Sequence, residues 1–142
     1  MRIHLDRKKL LCLSFFLCCV LPPCFNWFSL EPEADAWTGL SLMPVPLLVG
    51  MTLYAFALLF DRFRHVLSLG VLAHGLLLAA CLNCFFSFPL LSGTAGARDL
   101  HLSLEATEPG YWISLALLLV HLILFTTTEV AVQRLSQQNS KA

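Results

Sequence analysis

The chain has 142 residues, 58% of them hydrophobic and 13% charged, with nine Lys and Arg balanced by nine Asp and Glu. Soluble domains run at about 45–50% apolar and about 25% charged, so this surface calls for a non-aqueous solvent. The net charge is zero and the basic residues form short, scattered clusters, which disfavours nucleic-acid binding; the length suits one domain.

A bilayer core about 30 Å thick needs about 20 mainly apolar residues of helix, and four stretches qualify. The first runs from about Leu10 to Phe28. Pro22-Pro23 lies inside it and should kink or end the helix, because proline lacks an N–H and clashes with the preceding turn. Met1 to Lys9 is basic, Leu10 to Leu21 apolar, and Ala34-Asp35-Ala36 has the form of a cleavage site, so a signal peptide is an alternative here. Fourteen residues separate Leu21 from Ala36, which is long for a cleavable leader. Cleavage would leave three spans and an outer N-terminus. A lipoprotein site at Cys24 is disfavoured by Pro23 before it.

A short loop, Ser29 to Gly39, leads to the second span, Leu40 to Phe60, with Pro44 and Pro46 near its start, where proline is tolerated. Asp61 to His65 reads as a tight turn, which makes the second and third helices antiparallel neighbours. The third span covers Val66 to Leu91 and carries Gly75 and Ala79, a small-xxx-small pair that permits close helix approach. The second loop, Ser92 to Gly110, opens on a flexible Ser92–Gly96 run. Leu100, Leu102 and Leu104 then alternate with His101 and Ser103, a period of two that predicts a short extended segment. The fourth span covers Tyr111 to about Val130, and the polar tail, residues 136–142, is expected to be disordered. The predicted fold is thus all-α, one polytopic membrane domain, an antiparallel four-helix transmembrane bundle.

Charge supplies an orientation. Arg2, Arg7, Lys8, Lys9, Arg62, Arg64, Arg134 and Lys141 fall on one side of this pattern, and Arg98 alone on the other. Cytoplasmic loops are enriched in Lys and Arg, so both termini are expected in the cytoplasm. Trp27, Trp37, Tyr111 and Trp112 fall at the expected outer interface, where amphipathic rings settle. A bacterial inner membrane or a eukaryotic plasma or internal membrane would suit equally.

Chemistry-bearing residues are few. No Asp, Glu, Lys or Arg lies deep in any span, and Glu129 sits near the cytoplasmic end of the fourth. Small four-helix multidrug exporters resemble the chain in size and span count, but they use a glutamate in the first helix, which is missing here. His74 and His121 each lie about nine residues, roughly 13 Å, from the cytoplasmic boundary of their helices. Equal depth on neighbouring helices is what a shared site requires. Two facing imidazoles could ligate haem iron, or each could hydrogen-bond across helices to a hydroxyl or a carbonyl.

Of six cysteines, Cys81 and Cys84 form a Cys-x-x-Cys pair on one helical face, with Cys24 near the outer end of the first helix. In outline this is similar to four-helix membrane thiol oxidoreductases that pass electrons to quinones. The resemblance covers topology and Cys81/Cys84 only, because the second cysteine pair of those enzymes has no counterpart in Ser92 to Gly110. Trp37-Thr38-Gly39-Leu40 resembles the Trp-x-Gly-Leu of claudin-like tetraspan proteins, whose loop is longer and carries a cysteine pair that this chain lacks.

Most of the chain is used in crossing the bilayer, so a non-enzymatic role is expected. The chain would be an accessory or assembly subunit, or a homo-oligomer, with the lipid bilayer and a membrane protein or itself as partners and no resident cofactor. Thiol–disulfide exchange at Cys81/Cys84, with Cys24, and electron transfer through haem on His74/His121 are the alternatives.

Overall fold

The computed structural model describes residues 2–30, 36–59, 66–93 and 99–139. Six helices dominate: α1 (Arg2–Val20), α2 (Gly39–Leu42), α3 (Pro44–Leu59), α4 (Val66–Leu91), α5 (Leu100–Ala106) and α6 (Pro109–Asn139). Two short strands, β1 (Asn26–Phe28) and β2 (Trp37–Thr38), pair antiparallel. Two stretches, Leu67–Leu91 and Pro109–Leu135, are long and apolar enough to cross a membrane, while the apolar helices Leu10–Cys24 and Pro44–Leu58 are shorter. The expected turn at Asp61–His65, most of the Ser92–Gly96 run, and the charges at Glu31, Glu33, Asp35 and Arg98 lie outside the described residues.

Helices α1, α3, α4 and α6 pack around one apolar core. Pairs of contacts fix their directions. Tyr54 lies against His74, and Gly50, a turn earlier on α3, lies against Leu77, further along α4, so the two run antiparallel. Gly70 abuts Phe125 while His74 meets His121, which makes α4 and α6 antiparallel as well. Ser14 meets His121 and, past the end of α1, Trp27 meets Ser114, giving the same relation.

The first apolar stretch does not stay helical to Phe28. α1 stops at Val20, and Pro22–Cys24 forms a single 3-10 turn, since two prolines remove two donors in succession. The second stretch is broken as well. Thr38 caps α2, its hydroxyl accepting from the Ser41 N–H at 3.3 Å, and Met43 then leaves the helical region before Pro44 opens α3. The loop leucines do not form a strand. Asp99 caps α5, its carboxylate accepting from the N–H groups of His101 (3.0 Å) and Leu102 (3.3 Å), and this cap outweighs the alternation. The buried face of α5 is Ser103 and Ala106, while Leu100 and Leu104 point outward. α6 continues to Asn139, so residues 136–139 of the tail expected to be disordered are helical.

One end of the bundle is closed by a cap. The Ser29 N–H donates to the Ala106 carbonyl (2.9 Å), the Glu108 N–H to the Trp27 carbonyl (2.8 Å), and Phe28 forms a bridge with Thr107. The Ser103 hydroxyl donates to the Phe85 carbonyl at 2.9 Å, pinning α5 to α4. Trp27 and Tyr111, expected at a membrane interface, are buried inside this cap, at 0% and 1% exposure. Gly39 makes room for the indole, because a Cβ there would sit 2.4 Å from the Trp27 ring. The Trp27 N–H donates to the Ser114 hydroxyl at 3.0 Å, which in turn donates to the Gly110 carbonyl at 2.7 Å. Phe28 stacks on Phe88 at 4.4 Å, and Trp37 meets Phe88 edge-on. Trp112 alone of the tryptophans is strongly exposed.

Candidate functional site

The most polar point of the core is a chain of side chains at the centre of the four helices. On α4, His74 lies one turn after Gly70, so its Nδ1–H reaches back to the Gly70 carbonyl at 2.7 Å. Its Nε2 faces Nδ1 of His121 on α6 at 2.9 Å. His121 Nε2 faces the Ser14 hydroxyl of α1 at 3.0 Å, and that hydroxyl donates to the Leu11 carbonyl at 3.0 Å. Both imidazoles are buried, at 0% and 3% exposure.

Aromatic rings enclose the pair. Phe15 lies 4.9 Å from the His74 ring and 5.3 Å from that of His121, and Tyr54 lies 5.4 and 5.6 Å from them. Phe15 and Tyr54 stack on each other at 3.9 Å. Phe125, one turn after His121, lies nearly parallel to His74 at 5.7 Å. It fits because Gly70 has no side chain: a Cβ there would come within 2.1 Å of the Phe125 ring. The Tyr54 hydroxyl is buried with no hydrogen-bond partner among the described residues. Glu129, one further turn along α6, is also buried.

The structure brings His74 and His121 together, in hydrogen-bond contact with each other. Their geometry does not fit a haem. Imidazole–metal bonds run about 2.0–2.1 Å, so two axial nitrogens stand about 4 Å apart across the iron. Here the facing nitrogens are 2.9 Å apart, and the rings, tilted by only 15°, meet edge to edge with centroids at 5.2 Å. Phe15, Tyr54 and Phe125 fill the space a macrocycle would need. No step through haem is derived from these residues.

Cys19, Cys81 and Cys84 belong to the buried core. Cys81 and Cys84 are buried thiols facing the core of α4, and Cys24 is exposed, its thiol bonded to the Val20 carbonyl at 3.0 Å. Among the described residues no three His, Cys, Asp or Glu side chains converge to hold a metal ion. The Tyr111 hydroxyl donates to the Cys81 carbonyl at 3.3 Å, which ties that turn to the cap.

Sequence reasoning missed Ser14, Phe15, Tyr54, Phe125 and Gly70. Their signals were present: one hydroxyl in an apolar span, a Gly-x-x-x-His step, and His121, Phe125 and Glu129 at intervals of four on one face. What the cluster can do chemically is hold and pass a proton between two rings. No protein-family model, no curated protein and no solved structure matches the chain.

Proposed function

We propose that this chain is a four-span integral membrane protein with both termini cytoplasmic, acting without catalysis as an accessory or assembly subunit through lateral helix contacts. Supporting the membrane reading, the polarity is inverted relative to a soluble bundle. Ser14, His74 and His121 bond to one another inside, while Leu13, Leu48, Leu72 and Ile123, one from each packed helix, face outward. The two shorter helices reach the required thickness if the bilayer thins or flanking residues extend, at modest cost. The eight-to-one split of Lys and Arg supports the orientation.

The observation that carries the lateral-contact role is the outward face of α4. Leu72, Gly75, Ala79, Leu82 and Asn83 are all exposed there, and a Cβ on Gly75 would meet nothing. Asn83 accepts a long 3.4 Å bond from Ser87 of its own helix. Small residues allow a second helix backbone close in, and a carboxamide facing hydrocarbon gains from a partner there. The test is photocrosslinking in intact membranes from positions 72, 79 and 82, with inward Leu77 as the control. A discrete protein adduct from the outward positions alone is the expected result. An adduct with a second copy would make the chain a homo-oligomer, and lipid adducts alone would sink the proposal.

A further inference from the structure

The hydrogen-bonded chain at the centre of the bundle begins and ends on backbone carbonyls. The Gly70 and Leu11 oxygens can only accept, so a proton in either end link comes from His74 Nδ1 or from the Ser14 hydroxyl. Between these ends lie the His74–His121 and His121–Ser14 links, each needing one proton. Two neutral imidazoles and one hydroxyl bring three protons to these four links. In the neutral chain, therefore, one link has two lone pairs facing each other. One additional proton fills every link.

We propose that Ser14, His74 and His121 form a binding site for one proton, shared between the two imidazoles, which ties α1, α4 and α6 together when filled. The added charge is not confined to one ring. Passing the proton across the 2.9 Å link from His121 Nδ1 to His74 Nε2 turns His74 into the imidazolium and leaves His121 neutral, with all four links still filled. No bond other than N–H is made or broken. Phe15, Tyr54 and Phe125, with ring centroids 4.9 to 5.7 Å from the imidazoles, enclose the pair. Filled links join α4 to α6 and α6 to α1, so the proton acts as a three-helix fastener.

The other titratable groups on the packed helices are Arg2, His4, Asp6, Arg7, Lys8, Lys9, Cys12, Cys18 and Cys19 on α1, Tyr54 on α3, Cys81 and Cys84 on α4, and Tyr111, Glu129 and Arg134 on α6. Glu129 lies on α6 two turns beyond His121, so the test must separate it from the rings.

The full chain, carrying ring-15N histidine, would be placed in lipid nanodiscs and its ring nitrogen shifts followed from about pH 9 to about pH 5, the range in which histidine charges. The expected result is uptake of one proton by the His74–His121 pair, moving the signals of both rings in the same step, with a second proton not entering the pair in that range; the signals of His4, His65 and His101 are followed separately. Two independent steps, two protons, or no uptake at His74 and His121 would overturn the proposal. Ser14→Ala is small enough to keep the fold and should bind the proton roughly tenfold more weakly, since a hydrogen bond to the charged form is lost. Ser14→Thr should restore the binding. Unchanged proton affinity in Ser14→Ala would overturn the shared site. Glu129→Gln should leave one proton on the imidazole pair, and loss of the shared step in that variant would assign the proton to the carboxylate instead.

Discussion

Single residues in the cap test how polar groups are satisfied without water. The Trp27 N–H is fully buried and donates to Ser114. Ser114→Ala should destabilise the fold by about 1–3 kcal/mol, because it strands that donor. Trp27→Phe removes the donor itself, leaves Ser114 bonded to Gly110, and should lose in packing instead, since the cavity left by the smaller ring adds to the cost. Denaturant titration in micelles, read by cap fluorescence for Ser114→Ala and by circular dichroism for both, measures each. A neutral Ser114→Ala would show that the indole finds another acceptor. Thiol labelling gives a second check at this scale. Cys24 is exposed and should react with a maleimide in the folded protein, whereas buried Cys81 and Cys84 should react only after unfolding. Rapid labelling of Cys81 or Cys84 in the native state would return weight to the thiol-exchange reading.

Among the elements, α5 shows most plainly where local pattern fails. The leucine alternation at Leu100, Leu102 and Leu104 suggested an extended segment, yet Asp99 caps a helix there and Ser103 bonds to α4. Asp99→Ala should cost about 0.5–2 kcal/mol. Amide exchange should rise across residues 100–106 and stay unchanged in α4; protection surviving the substitution would mean that contacts with β1 suffice to hold α5. The long helices were legible because continuous apolar runs have one stable form in lipid, and the pairing of His74 with His121 was legible from depth alone. The rest was not, for a physical reason. Whether Trp27 lies at an interface or inside the cap depends on Gly39, Gly110 and Ser114, which lie beyond any local window. Ser14 and Tyr54 joined the central cluster through helix rotation, which charge and hydropathy along the chain do not fix.

At the scale of the whole molecule, apolar surface outside and a hydrogen-bonded centre inside point the same way as the charge partition. Reporters active only in the cytoplasm should work when fused before Met1 and after Ala142, and reporters placed within the 31–35 or 94–98 segments should be silent. Activity from either of those inner insertions would reverse or break the four-span topology. The same experiment decides whether the first apolar stretch stays attached, since a cleaved leader would separate the N-terminal reporter from the rest.

The cap also dictates an order of manufacture. Residues 26–29 finish their backbone bonding only with Ala106, Thr107 and Glu108. A ribosome delivers those partners late, after α3 and α4 have already left it. Until then the first hairpin and Trp27 have their bonding groups open, and the nascent chain must hold its earliest segment unsealed while two further helices are made. Closure of the cap is therefore a late checkpoint in the birth of this protein, and a chain stalled between α4 and α5 would offer a quality-control machine an unfinished edge that the completed fold never shows.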